Sequence, residues 1–210
     1  DFLFGLLQFL KEHGQERIDS IVKTKDAKTI AKDVDGTAYM VRDWYEGREC
    51  DTKSRDDILK AIRQLADIHN ILREFPMEIP DYLQVGGNAL LEENERHTRE
   101  LKKVRNYISS RKKKSDFERG FLKSFEMFYG EAVEVVELQK QELGNTMGQE
   151  GANGIYGICH GDYNQHNVLF SRQGIAILNF EKASYDIQAS DLGNFMRKIL
   201  EKHNWNMGLG

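Results

Sequence analysis

The chain has 210 residues, with 30 Lys or Arg against 34 Asp or Glu for a formal net charge of −4, and 40% of its residues are hydrophobic. That composition belongs to a globular chain and excludes disordered, fibrous and general nucleic-acid-binding ones, since backbone phosphates call for a basic surface. Its 2 cysteines, Cys50 and Cys159, lie far apart without metal-type spacing, which excludes a disulfide framework and suits a reducing compartment.

No run of about 18 apolar residues occurs, and the opening DFLFGLLQFL lacks a basic flank, so neither a membrane span nor a signal peptide is expected. Asp1 in place of a methionine, and an end that follows closely on a helical pattern, lead to the expectation of a fragment. Phe2, Leu3, Leu6, Leu7 and Leu10 fall at helical spacing, and His13-Gly14 stops the pattern. Between Ile18 and Ile30 the segments IVKT and KTIA predict strand, Val34-Asp35-Gly36-Thr37 a hairpin turn, and AYMVRDWY one further strand. Glu46 to Arg55 is charged, contains Gly47 and reads as a connector.

Asp57 to Arg73 carries Ile58, Ile62, Leu65, His69 and Leu72 on one helical stripe. A second helix is expected from about Glu92 to Ser109, with Leu101, Val104 and Ile108 inward. A third runs from Asp116 to about Leu143, where Phe117, Phe121, Phe125, Phe128, Ala132 and Val135 predict core packing rather than a cofactor pocket. Arg111-Lys112-Lys113-Lys114 between them reads as a solvated turn. After the glycine-rich stretch Asn145 to Gly157, short strands are predicted at Tyr156 to Cys159, Val168 to Phe170 and Ile175 to Phe180. Helix returns after Gln188, with Leu192, Phe195, Met196, Ile199 and Leu200 on its inner face.

The chemistry lies in His160-Gly161-Asp162-Tyr163-Asn164-Gln165-His166-Asn167, a loop between two strands. A histidine and an aspartate followed five positions later by an asparagine is the grammar of a phosphoryl-transfer loop. Such transfer needs a carboxylate near the attacking hydroxyl and an oxygen ligand for Mg²⁺, places that Asp162 and Asn167 take. The hairpin after the loop should present a second metal ligand, and Asn179 lies there within Ile177-Leu178-Asn179-Phe180-Glu181. The competing reading of Asp162 is a loop aspartate that caps a turn. His160 reads as a structural support of the loop, because phosphoryl transfer leaves little for a histidine to do.

The His-Gly-Asp form of the loop, with glycine where protein kinases carry arginine, resembles the aminoglycoside phosphotransferase and choline kinase superfamily. Within it, the runs RHTRELKKVRNYISSRKKKSDFERGFL, ICHGDYNQHNVLF and DIQASDLGNFMRKILEKHNW are similar to the spore coat protein CotS family of endospore-forming bacteria. The resemblance covers nearly the whole chain and implies a bilobal protein-kinase-like α+β fold. Residues 1–47 would finish a truncated N-terminal lobe and hinge with antiparallel strands. Residues 48–210 would form a large, mainly helical C-terminal lobe with a helical insertion at about 92–143. The implied cofactors are ATP and Mg²⁺. Asp162 would orient or deprotonate an acceptor hydroxyl, with His160 in the same catalytic loop, and Asn167 and Asn179 would hold the metal. Backbone groups of Asp43 and Tyr45 would bind adenine, and Asp191 would brace the loop from a buried position.

Two departures accompany the resemblance. Asn179 stands where the superfamily carries a metal-binding aspartate, and a neutral amide oxygen holds Mg²⁺ less strongly than a carboxylate; Glu181 and Asp186 are the substitutes close by in sequence. The phosphate-covering glycine-rich loop and its strand lysine are expected before Asp1, so this stretch alone is expected to be inactive. The function this implies is a spore-coat-associated, ATP- and Mg²⁺-dependent phosphotransferase acting on a hydroxyl of a small molecule or protein. The alternative is a kinase-like protein with a decayed metal site, serving as an interaction module among other spore coat proteins. The implied location is the mother-cell cytoplasm and the spore coat.

Overall fold

The structure is a computed structural model that describes residues 2–83, 89–146, 156–206 and 208. It divides into two compact units, residues 1–85 with 155–210, and residues 86–154.

In the first unit α1 (Phe2–Glu12) turns Phe2, Leu6, Leu7 and Leu10 to one side and buries them. Two small antiparallel pairs follow: β1 (Ile21–Val22) with β4 (Val41–Arg42), and β2 (Ala31–Lys32) with β3 (Ala38–Tyr39). The predicted strand AYMVRDWY is therefore two strands that part at Met40 and pair with different partners. The hairpin turn holds β3 against β2, and the chain must bend there to reach β1, where Arg42 lies opposite Ile21.

The predicted connector also contains a strand. In β5 (Arg48–Glu49), Arg48 pairs with Phe170 and Glu49 with Leu169 of β7 (Val168–Ser171), which pairs in turn with β8 (Gly174–Ile177). Its charged side chains suit an edge strand, which natural sheets mark with charge. Gly47 lets the chain approach, since a Cβ there would lie 2.9 Å from the Phe170 carbonyl oxygen.

The first helical turn of α2 (Arg55–Leu72) is set by charge and capping. Ser54 accepts from the Asp57 amide at 3.2 Å, and Asp56 and Asp57 sit where the helix dipole favours negative charge. Ile58, Ala61, Leu65, Ile68 and Leu72 form its buried stripe. They join the α1 residues, Val168, Ile177 and Phe180 in one core with Phe195 and Ile199 of α5 (Ala189–Lys202). Between β8 and α5 the chain leaves the sheet at Leu178 and makes a 3₁₀ turn at Phe180–Lys182. It then forms β9 (Ser184–Ile187), which the sequence pattern did not announce, antiparallel to β6 (Tyr156–Cys159).

The second unit is a helical hairpin of α3 (Ala89–Ser110) and α4 (Asp116–Thr146). Ser115 and Glu118 start α4 with a reciprocal cap: the Glu118 amide donates to Ser115 Oγ at 3.2 Å, and the Ser115 amide to Glu118 Oε2 at 2.7 Å. Of the apolar residues on the two helices, Ile108, Phe125 and Val136 are buried among the described residues. The expectation that the whole phenylalanine stripe packs inside is corrected here, because Phe117, Phe128 and Val135 are exposed. One neighbouring helix covers one face of α4, and the apolar stripe is wider than that face. Among the described residues no helix is long and apolar enough to cross a membrane.

Candidate functional site

The loop between β6 and β7 is held from beneath by Asp191 in the first turn of α5. Its buried carboxylate accepts from the His160 amide at 2.6 Å and the Gly161 amide at 2.9 Å, and lies 3.0 Å from His69 Nε2 of α2. One side chain thus ties the loop to two helices. Gly161 has φ 78°, and a Cβ there would overlap the Lys182 carbonyl oxygen, so the small residue of His-Gly-Asp is a steric requirement.

His160 is fully buried, with Phe180 packed against its ring. The Asp162 amide donates to its Nδ1 at 3.2 Å, so that nitrogen carries no proton; Nε2 then donates to the Leu178 carbonyl at 2.9 Å. Burial pushes its pKa below the ordinary value. With both nitrogens engaged, the neutral ring links the loop to the end of β8.

Asp162 itself is partly exposed. Its Oδ2 pairs with Lys182 Nζ at 2.9 Å and its Oδ1 accepts from Asn164 at 3.0 Å. The Lys182 ammonium, above all, holds its carboxyl below the usual range. The Asp162 carbonyl accepts from Asn167 Nδ2 at 2.8 Å, which fixes the orientation of that amide and turns Asn167 Oδ1 toward Asn179. Asn179, left-handed at φ 66°, donates its Nδ2 to that oxygen at 2.7 Å. The structure therefore brings Asp162, Asn167 and Asn179 into one hydrogen-bonded chain.

The Asn179 amide proton goes to buried Asp19, whose Oδ2 accepts it at 2.9 Å and pairs with Arg42 Nη1 at 3.0 Å. Burial raises the Asp19 carboxyl above its ordinary value, against the lowering by Asn179 and Arg42. Arg42 pairs on its other side with Glu181 at 3.0 Å. Sequence reading did not find Asp19, Arg42 or Lys182. Each matters through a partner that is at least 20 positions away in the chain, and no local pattern marks such a pair.

In front of this network lies a cleft of about 790 Å³, within the range of a small-molecule site. Trp44, Leu169 and Leu178 give it apolar wall, and Asp43, Glu46 and Glu49 line it as well. The Asp43 amide is spent on the Ser20 carbonyl at 2.9 Å, and its carboxylate pairs with Lys11 at 2.5 Å. Among the described residues the Asp43 carbonyl and the Tyr45 amide have no hydrogen-bond partner, so the strand edge offers an acceptor and a donor to a planar base.

The donors fit Mg²⁺ poorly. A firm site takes hard anionic oxygen, whereas Asn167 and Asn179 are neutral, and the Asn167 oxygen already accepts from Asn179. Asp162 is paired with Lys182, and Asp19 and Glu181 with Arg42. Asp186 lies in β9 opposite Gly157 and accepts from the Ile187 amide. Among the described residues no group of three or more histidine, cysteine or acidic side chains could hold a metal.

The family described as "Spore coat putative kinase YutH" matches residues 3–208. No curated protein matches the sequence. Among solved structures, the chain is similar to an aminoglycoside phosphotransferase from Alicyclobacillus acidocaldarius. The identity is 20% and the TM-score 0.82, over 99% of this chain and 60% of that one. Spectinomycin phosphotransferase APH(9)-Ia, in complex with ADP and spectinomycin, is similar at 17% identity and TM-score 0.54, over 99% of this chain and 63% of that one. Amicoumacin kinase hAmiN, in complex with AMP-PNP, Ca²⁺ and Ami, is similar at 12% identity and TM-score 0.55, over 94% and 52%. The chain spans less than two thirds of each of these proteins. The kinase-like α+β fold expected from the sequence, with small antiparallel sheets, is the fold found.

Proposed function

The chain belongs to the YutH family of spore coat kinase-like proteins, and from that premise we propose a kinase-like binding protein of the spore coat that does not run magnesium-dependent phosphotransfer. The amide pair of Asn167 and Asn179 carries this reading. With an aspartate at 179, two acceptor oxygens would face each other and call for a cation between them. Here the Asn179 NH₂ group supplies the positive end of the contact, so the pair itself presents no charge for a metal to neutralise. The retained cleft supports binding of a planar base, with the Asp43 carbonyl and the Tyr45 amide at its edge. In this proposal residues 1–47 finish the N-terminal lobe and hinge and residues 48–210 form the C-terminal lobe. The partners are other coat proteins, and the protein works in the mother cell and the coat.

A second reading is favoured by the loop itself. Asp191 and His160 hold the backbone of Asp162 in place, and its carboxylate reaches solvent. In that reading Asp162 accepts the proton of an acceptor hydroxyl, as an ATP- and Mg²⁺-dependent phosphotransferase would require, and Asn167 and Asn179 hold the metal weakly.

Full-length protein separates the two. Under the first reading the melting temperature with ADP or ATP does not depend on millimolar Mg²⁺, and no phosphoryl transfer is detected. Asn179→Asp then acquires a Mg²⁺-dependent rise in melting temperature. Mg²⁺-dependent nucleotide affinity in the wild type, with turnover that Asp162→Ala abolishes, would establish the second reading instead.

A further inference from the structure

On α4, Phe117, Phe121, Ser124, Phe128, Glu131, Val135 and Leu138 recur at spacings of four and three and form one stripe along the helix. Four of its apolar members are open, with Phe117 80%, Phe128 56%, Val135 47% and Leu138 53% exposed. Beside Phe117 and Phe128 runs a groove of about 280 Å³ that Leu101 of α3 also lines. A single exposed apolar residue is ordinary, but a row along a 31-residue helix marks a surface that something covers.

Charge indicates what covers it. Residues 101–128, around the turn of the hairpin, carry nine basic and three acidic residues, whereas residues 129–146 carry one basic and four acidic. The hairpin is thus positive at its tip and negative along the second half of α4, a distribution complementary to itself when reversed. Glu131 falls inside the apolar stripe, is exposed, and has no ion-pair partner among the described residues. Arg105 of α3 lies at the level of Phe125 and Glu126, 5.7 Å from the Phe125 ring and 3.8 Å from Glu126.

We propose that the exposed α4 face pairs antiparallel with the same face of a second copy of this chain, with Phe128 at the two-fold axis. A two-fold at residue 128 sets Phe121 opposite Val135 and Phe117 within one residue of Leu138. It brings Glu131 level with Arg105 of the other copy, so each copy's buried-face acid meets a cation, twice per dimer, as an isologous interface requires.

Sedimentation of the full-length protein tests it. The expected result is a dimer whose dissociation constant rises with salt. Phe117→Ser with Phe128→Ser weakens it about a hundredfold or more, while circular dichroism shows the helices retained. Because apolar-to-polar variants can disturb the hairpin, a charge exchange on exposed positions is the second arm. Arg105→Glu and Glu131→Arg each weaken the dimer, and the two together restore it. The register has its own readout: Phe128→Cys chains cross-link to each other on oxidation, whereas Phe117→Cys chains do not, their positions lying about 30 Å apart. A monomeric full-length protein would overturn the proposal and leave the stripe to another segment or another protein. So would a dimer that the serine pair leaves unchanged, a charge exchange without restoration, or cross-linking at position 117 in place of 128.

Discussion

Asp191 shows how one side chain can set the cost of a loop. Its carboxylate satisfies two buried amides, at His160 and Gly161, and also meets His69. A plain helix cap is worth about 1 kcal/mol. Removing this one strands two donors away from water, so Asp191→Ala should cost about 3 kcal/mol or more, read from the shift in urea midpoint. His69→Ala removes a single contact of the same carboxylate and should cost clearly less. Equal losses in the two variants would show that helix packing, and not the loop amides, is what Asp191 serves. The positions of Asp162, Asn167, Asn179 and Asp191 were legible from spacing and resemblance, because a loop, a hairpin and a helix start each leave a local mark. Lys182, Asp19 and Arg42 were not legible, since what defines them is the group each one meets across the fold.

At the scale of elements, the helices followed from their apolar spacing, and the short strands did not. β5 shows no alternation, since Arg48-Glu49 is wholly polar, and the alternation of Ser184 to Ile187 in β9 spans only four residues, all half-buried. Their place is decided by the edge each one finds, on β7 and on β6. The split at Met40 has the same origin, because a strand's partner is not written in its own residues. Two buried cysteines report on these edges. Burial pushes the Cys50 thiol, just past β5, up to about 11 and the Cys159 thiol of β6 up to about 12, so neither is a nucleophile at pH 8. Gly47→Ala forces a Cβ against the Phe170 carbonyl and should loosen β5 from β7. Cys50 should then react faster with a thiol reagent in native buffer, while Cys159, in a separate sheet, keeps its wild-type rate. Unchanged protection of Cys50 would show that its cover does not depend on β5.

For the molecule as a whole, acid acts in two directions. Asp57 and Asp162 are held below their ordinary values by Arg48 and Lys182. Their contributions are present above the unfolded value of about 3.9 and are lost as pH falls through the folded values. Asp19 runs the other way, because burial raises it. Its contribution is present below the unfolded value and is lost as pH rises through the folded one, so at neutral pH the ionised form carries a cost. Wild type should therefore gain stability relative to Asp19→Asn as pH is lowered from 7 toward 4, and a pH-independent difference between their midpoints would contradict this. The fastening of β5 has a kinetic consequence of its own. Beyond Gly47 the chain is held by the Phe170 and Leu169 pairings, by the Cys50 amide on Val168 at 2.9 Å, and by Arg48 on Asp57. The back of the cleft is stitched shut, so a ligand cannot wait for that wall to swing aside. Its arrival and departure should each follow a single exponential, with an observed association rate that climbs linearly with concentration and never reaches the plateau of a gated door.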